Sequence, residues 1–120
     1  MKLAHTMIRV KDLERTLDFY TDFLGLREVS RKPIGDEATL VFLTDDSESY
    51  HVELTYNHGK DDYELGDQFG HLAFHTDDLE KVIQTVEAKG MWYRRSRPEL
   101  SSQYIFVKDP NGYDIEILQA

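Results

Sequence analysis

The sequence has no cysteine among its 120 residues. A disulfide framework, a thiolate metal site and a cysteine nucleophile are therefore excluded, and the chain suits a reducing compartment. Basic residues are also scarce, since 14 Lys and Arg stand against 23 Asp and Glu and leave a net charge of -9. An acidic surface repels nucleic acid and anionic membranes, so we expect neither as a partner.

Long apolar runs are missing as well. None approaches the roughly 20 residues that a membrane-spanning helix needs, and the first residues lack the basic and apolar regions of a signal peptide. Hydrophobic residues make up 40% of the chain and charged residues 31%, which is typical of a globular protein. We therefore expect one compact, soluble domain in the cytoplasm.

The chain does contain a pattern of secondary structure that occurs twice. In the first copy, period-two alternation predicts a strand over 3–10, and Asp12 is the expected N-cap of an amphipathic helix that Gly25 ends. Three more strands are predicted over 26–31, 39–43 and 50–56, with a turn at 33–36.

The second copy begins with a predicted strand over 69–75. Asp77 or Asp78 then caps a helix that Gly90 ends, and strands follow over 91–95, 103–107 and 113–118, with a strong turn signal at 109–112. The acidic, glycine-bearing stretch between the copies is interpreted as a loop, in which a short helical turn can form near Tyr63.

The spacing between matching residues of the two copies is nearly constant. It is 66 for His5 and His71, 66 for Asp12 and Asp78, 65 for Gly25 and Gly90, and 63 for Glu53 and Glu116. Each copy reads strand, helix, strand, strand, strand, and two copies suit a pseudo-symmetric domain better than a repeat array. The sequence thus predicts an α+β fold of two βαβββ modules, residues 1–58 and 69–120, joined by a loop over 59–68.

Each copy carries one histidine and one glutamate on the polar face of a strand. Alternation places His5 and Glu53 there in the first copy, and His71 and Glu116 in the second. A lone histidine or glutamate in a strand is more often a structural or solvated residue. Because the same slots recur, and because imidazole with carboxylate suits zinc, nickel, iron, cobalt or manganese, we predict one shared metal site.

The roles of several neighbouring residues stay open. His51 and His75 share faces with Glu53 and His71, so they are candidates for substitute ligands or for hydrogen-bonding support. Arg9 lies two residues beyond His5, where it either receives a substrate carboxylate or forms an ordinary ion pair. The other candidates are expected outside the site: Arg94, Arg95, Arg97 and His58 on the surface, and Phe19, Tyr20 and Phe23 in the core.

Taken together, the motifs resemble the vicinal oxygen chelate superfamily and, within it, glyoxalase I, over essentially the whole chain. They are His5-Thr6-Met7-Ile8-Arg9-Val10 with Phe19-Tyr20 and Leu24-Gly25-Leu26; Glu53-Leu54-Thr55-Tyr56-Asn57 with Gly59, Tyr63-Glu64-Leu65-Gly66 and Gly70-His71; and Asp109-Pro110-Asn111-Gly112-Tyr113 with Ile115-Glu116. The middle group is specific to glyoxalase I, whereas the first and last occur more widely in the superfamily.

The resemblance implies curved mixed sheets that pair, across a homodimer, into a half-barrel cleft. One divalent ion, with nickel or cobalt favoured and zinc an alternative, would be held by His5, Glu53, His71 and Glu116. Of these, Glu116 would be the principal catalytic base and Glu53 its counterpart on the other face of the substrate. Arg9 and Asn57 match positions that bind the glutamyl end of glutathione.

The implied activity is that of lactoylglutathione lyase. The hemithioacetal of methylglyoxal and glutathione would be isomerised through an enediolate to the S-lactoyl thioester. The segment 97–103 departs from the family, because it is shorter than the usual Lys- and Gly-rich loop and has no lysine, so another small thiol can replace glutathione. The alternatives are another metal-dependent member, such as a thiol transferase or an epimerase, and a metal-free protein that sequesters a drug.

Overall fold

In the computed structural model, which describes all 120 residues, the elements form in the order that the repeat predicts. Their bounds are β1 His5–Arg9, α1 Leu13–Asp18, β2 Arg27–Ile34, β3 Ala38–Thr44, β4 His51–Asn57, β5 His71–Thr76, α2 Leu79–Ala88, β6 Tyr93–Arg95, β7 Tyr104–Lys108 and β8 Asp114–Gln119. Contacts divide the chain into a first unit, Met1–Glu64, and a second unit, Leu65–Ala120. The module bounds 1–58 and 69–120 stay a prediction.

Each unit contains one four-stranded mixed sheet. The strand orders are β1-β4-β3-β2 and β5-β8-β7-β6, so the two sheets have the same topology. In both, the first strand of the copy lies at one edge and runs parallel to the last strand beside it, and the other pairs are antiparallel. The predicted α+β class with two βαβββ copies is confirmed. No helix is long and apolar enough to cross a membrane.

The first helix begins as predicted but continues in another form. Oδ1 of Asp12 accepts a hydrogen bond from the backbone N–H of Arg15 at 3.1 Å, as an N-cap does. After α1 the chain adds a π-helical turn over Phe19–Phe23, and Gly25 ends it at a φ of +81° that favours glycine. This helix and one face of its sheet supply the buried core of the first unit: Ile8, Val10, Leu17, Phe19, Tyr20, Val41, Leu43, Val52 and Leu54.

The second unit repeats this plan with a regular helix. Asp78, rather than Asp77, is the N-cap of α2, because its Oδ1 accepts from the backbone N–H of Lys81 at 3.1 Å. Gly90 follows the helix at a φ of +67°, in the place of Gly25. The buried apolar residues again come from the helix and one sheet face: Leu79, Ile83, Val86, Ile105, Val107, Ile115 and Ile117.

Two local predictions were wrong. Pro33 and Ile34 lie in β2 rather than in a turn, and Pro33 is opposite Thr39. Proline is tolerated there more readily because β2 is an edge strand, which has only one neighbouring strand to which an N–H can donate. No helical turn forms near Tyr63, where the backbone at Gly59 and Gly66 has positive φ and does not continue a helix.

Candidate metal centre

The first half-site consists of His5, Glu53 and Phe42. In the parallel ladder Glu53 is opposite Met7, so the side chain of His5 lies one pleat away on the same face. Nε2 of His5 is 3.2 Å from Oε1 of Glu53. Phe42 is directly opposite Glu53 on β3, and the His5 ring meets it edge-on, with 5.5 Å between ring centroids.

The second half-site consists of His71, Glu116 and Phe106 in the same arrangement. Glu116 is opposite Ala73 in the parallel ladder and opposite Phe106 in the antiparallel one. Nε2 of His71 is 3.6 Å from Oε1 of Glu116, and the ring centroids of His71 and Phe106 are 5.0 Å apart. The repeat in the sequence is therefore also a repeat of side-chain geometry.

Each pair of donor atoms has a spacing that suits a common metal ion. Two ligand atoms bound at about 2.1 Å to one first-row ion lie about 3.0 to 3.4 Å from each other. The first pair, at 3.2 Å, falls within this range, and the second, at 3.6 Å, needs to close by only a few tenths of an ångström. Imidazole nitrogen and carboxylate oxygen are also donors that such ions accept.

The two glutamates differ in how they are held. Oε2 of Glu53 accepts a hydrogen bond of 2.6 Å from the hydroxyl of Thr55, and both residues are 8% exposed. Leu118 occupies the place of Thr55 beside Glu116, so no hydroxyl donates from that position. Glu116 is also more exposed, since 17% of its side chain is accessible compared with 10% for Glu53.

The remaining histidines do not enlarge either pair into a set of three ligands. His51 is opposite His5 in the parallel ladder, and its ring lies 6.5 Å from that of Phe42. His75 is exposed and opposite Leu118. Neither unit gathers three or more His, Asp or Glu side chains into a group that can hold a metal ion by itself.

The predicted substrate residues lie toward one end of the first sheet. Arg9 is opposite Thr55, one pleat beyond Glu53, and Asn57 ends β4. Oδ1 of Asn57 accepts a hydrogen bond of 3.0 Å from the hydroxyl of Tyr63, which fixes the orientation of its amide. The ammonium of Lys60 lies 4.9 Å over the Tyr63 ring.

The residues expected outside the site behave largely as predicted. The exposed ring of His58 is within 2.8 Å of the Thr39 hydroxyl and 2.9 Å of the Asp36 carbonyl oxygen. All three arginines of the run are exposed: Arg95 is paired with Glu80, Arg97 with Glu99, and Arg94 lies 4.9 Å over the Phe106 ring. Phe19 and Tyr20 are core residues, whereas Phe23 is half-buried.

Three residues of the half-sites were not predicted from the sequence. Phe42 and Phe106 were treated only as strand residues, although their separation of 64 falls within the spacing of the repeat. Thr55 was not assigned a role either. The signal for it was its position two residues beyond Glu53, where side chains of a strand share a face.

Comparison with known proteins places the chain in a family. The family model for the Glyoxalase/Bleomycin resistance protein/Dioxygenase superfamily matches residues 2–117. The chain is 38% identical over 125 residues to a lactoylglutathione lyase of Arabidopsis thaliana, and 40% identical over 126 residues to a lactoylglutathione lyase of Haemophilus influenzae. These alignments cover 98% and 99% of the chain, but 44% of the plant protein and 93% of the bacterial one.

Solved structures agree with this assignment. A trypanothione-dependent glyoxalase I of Leishmania major superposes with a TM-score of 0.85 at 34% identity, over 99% of this chain and 86% of the other. The spacing of the half-sites, the repeated topology and these similarities all indicate one family. The predicted membership is confirmed: the chain belongs to the Glyoxalase/Bleomycin resistance protein/Dioxygenase superfamily and is similar within it to glyoxalase I.

Proposed function

We propose that the protein isomerises the hemithioacetal of methylglyoxal and a small thiol to the S-lactoyl thioester, with glutathione as the first candidate thiol. The observation that carries the proposal is the duplicated pair of imidazole and carboxylate, at 3.2 and 3.6 Å. The lactoylglutathione lyases among its relatives support a lyase/isomerase enzyme of this type.

One divalent ion per site would be bound by His5, Glu53, His71 and Glu116. We propose nickel or cobalt, with zinc as the alternative. We also propose that the protein is a cytoplasmic homodimer, in which each ion is bound by His5 and Glu53 of one chain and by His71 and Glu116 of the other. The ion, when bound, supplies the positive charge that makes the proton on the neighbouring substrate carbon acidic. The residues of the chain then bind the substrate, hold it in place and move the proton.

Glu116 is the side chain best suited to take that proton. A carboxylate that acts as a base has to leave its resting position and reach the substrate carbon. Glu53 is held by the 2.6 Å hydrogen bond from Thr55, and moving it would leave a buried hydroxyl without its acceptor. Glu116 has no hydroxyl in the equivalent place, so its movement breaks no such bond. Glu53 would serve the opposite face of the substrate at a lower rate.

Arg9 and Asn57 would orient the thiol. An arginine beside the site can bind a carboxylate with two parallel hydrogen bonds, which fixes both position and direction. Because Tyr63 already donates to Oδ1 of Asn57, the amide nitrogen points the other way and can donate to a substrate oxygen. Phe42 and Phe106 would exclude water from the reacting carbon.

The test is a turnover assay with a panel of thiols. Nickel-loaded protein is mixed with methylglyoxal and glutathione, trypanothione or another small thiol, and thioester absorbance is followed. We expect a gain in absorbance with at least one thiol. No gain with any thiol and any of nickel, cobalt or zinc would reject the isomerase.

A further inference from the structure

A pocket of about 260 Å³ opens directly beside the first half-site. His5 forms one side of it, and side chains of the neighbouring strands form the rest, among them Ser30, Lys32, Phe42 and His51. Lys32 is the one lining residue with a fixed charge, and no carboxylate lines the pocket. The one fixed charge that lines the pocket is therefore positive, in a chain whose net charge is -9.

The ammonium group of Lys32 has no acidic partner in the protein. It lies 6.0 Å from the centroid of the Phe42 ring, and no carboxylate is within ion-pair distance of it. The other cations of β2 differ: Arg27 is paired with Glu48 at 2.9 Å and Arg31 with Glu28 at 2.9 Å. A lysine left without an acid on an acidic protein, facing a pocket, is available to an anionic ligand.

An irregularity of β2 shapes the same pocket. The pairing of β2 with β3 shifts between Glu28 and Ser30, so Val29 has no partner on β3. Val29 is 41% exposed and lines the pocket together with Ser30. A bulge in a strand redirects side chains and is frequent beside active sites, because it changes which of them face a ligand.

We propose that this pocket binds an anionic group of the substrate and that Lys32 is the residue that recognises it. The inference rests on the proposed function, because it takes the ligand of the adjacent half-site to be a hemithioacetal. The ammonium of Lys32 donates to a carboxylate oxygen, the Ser30 hydroxyl offers a second donor, and the Phe42 ring contacts the apolar stem. The carboxylate comes either from the thiol or from the substituent of the 2-oxoaldehyde, and Lys32 selects substrates that carry it.

The test measures binding with stable thioethers that differ only in one carboxylate. S-benzylglutathione, S-(4-carboxybenzyl)glutathione and the glycyl ethyl ester of S-benzylglutathione are titrated calorimetrically into nickel-loaded protein. A preference of about fivefold for the carboxybenzyl compound places the anion on the aldehyde half. A similar preference for the free acid over the ester places it on the thiol half.

Three variants decide whether Lys32 is responsible. Lys32→Met should abolish whichever preference the wild type has, Lys32→Arg should retain it, and Lys81→Met, which removes an exposed lysine of α2, should leave it unchanged. In turnover with a charged substrate, Lys32→Met should raise KM about fivefold with kcat within twofold.

The proposal would be overturned if the wild type showed neither preference, or if Lys32→Met showed the same preference as the wild type. Failure of the isomerase proposal is separate, since it appears as absent turnover, whereas the preference is measured by binding alone.

Discussion

The two half-sites use the same three residue types but constrain their glutamates differently. Glu53 is almost fully buried and bonded to a hydroxyl, whereas Glu116 is more exposed and has Leu118 in the equivalent place. A carboxylate held by a neighbour suits a permanent ligand, and one without that bond suits a group that moves during the reaction. This difference supports the proposal that Glu53 and Glu116, which the repeat makes formally equivalent, have different tasks.

The half-sites also differ in the residue that lies opposite the histidine in the parallel ladder. A cation lies over each phenylalanine, Lys32 over Phe42 and Arg94 over Phe106. His51 is opposite the first histidine, but Asp114 is opposite the second and forms a 2.6 Å ion pair with Lys108. A pocket beside the second half-site is lined by His71, Arg94, Phe106 and Lys108 and also by the carboxylate of Asp114, whereas no carboxylate lines the pocket beside the first.

The largest effect is expected from exchanging the glutamates for glutamine. Glu116→Gln should lower kcat by about 10² or more while the protein stays folded, because general-base catalysis contributes on the order of 10²–10⁴. Glu53→Gln should cost about tenfold. Steady-state kinetics with nickel and metal analysis of both variants measure this difference. Equal losses, or a greater loss in Glu53→Gln, would contradict the division of tasks.

A smaller effect is expected on the substrate side of the first unit. Arg9→Ala should raise KM for a carboxylate-bearing thiol about tenfold with little change in kcat, because it removes binding that ground and transition states share. Arg15→Ala on α1 is the matched control and should behave like the wild type. If KM is unchanged in Arg9→Ala, this arginine has only a structural role.

Moving the hydroxyl from one unit to the other tests whether it restrains the neighbouring glutamate. Thr55→Val should lower the free energy of unfolding by about 1–2 kcal/mol, because a buried oxygen of Glu53 loses its donor. Leu118→Thr should give Glu116 the bond that Glu53 has and lower kcat several-fold. Urea unfolding and kinetics measure the two effects. An unchanged kcat in Leu118→Thr would show that the hydroxyl does not restrain the base.

The smallest effect concerns the edge strand of the first sheet. The hydrogen bond from Arg31 lowers the pKa of Glu28, so this carboxyl binds its proton less readily in the folded than in the unfolded chain. The resulting stability is present above the ordinary carboxyl pKa and is lost as pH falls through the lowered value. Because both side chains are over one-third exposed, we expect less than about 0.5 kcal/mol.

The Arg31→Gln variant removes this ion pair. Its free energy of unfolding should be slightly lower than that of the wild type at pH 7 and equal to it at acid pH. A deficit that grows as pH falls would contradict the sign.

The sequence was sufficient for the repeat and for the pairing within each half-site. Alternation in short strands fixes which residues share a face, and the constant spacing showed that His5 and His71, like Glu53 and Glu116, are equivalent. It was not sufficient for contacts that depend on register between strands. Phe42 reaches Glu53 only because β3 and β4 align them, and nothing local to either strand encodes that alignment.

Two local predictions from the sequence also failed. Pro33 is a frequent turn residue, yet it fits in β2 because that strand is at the sheet edge, which only the topology reveals. The sequence allowed a short helical turn near Tyr63, but none forms, and the Tyr63 hydroxyl donates to Oδ1 of Asn57, six residues earlier in the chain. Neither residue follows its local preference alone.

The most direct measurement is the stoichiometry of nickel binding, by calorimetric titration of the purified protein, its His5→Ala variant and its His71→Ala variant. We predict one tightly bound ion per chain. We also predict that either variant loses tight binding, because each His–Glu pair supplies half of the ligands of one ion. Two ions per chain, or undiminished affinity after either histidine is removed, would show that the pairs act separately and would contradict these predictions.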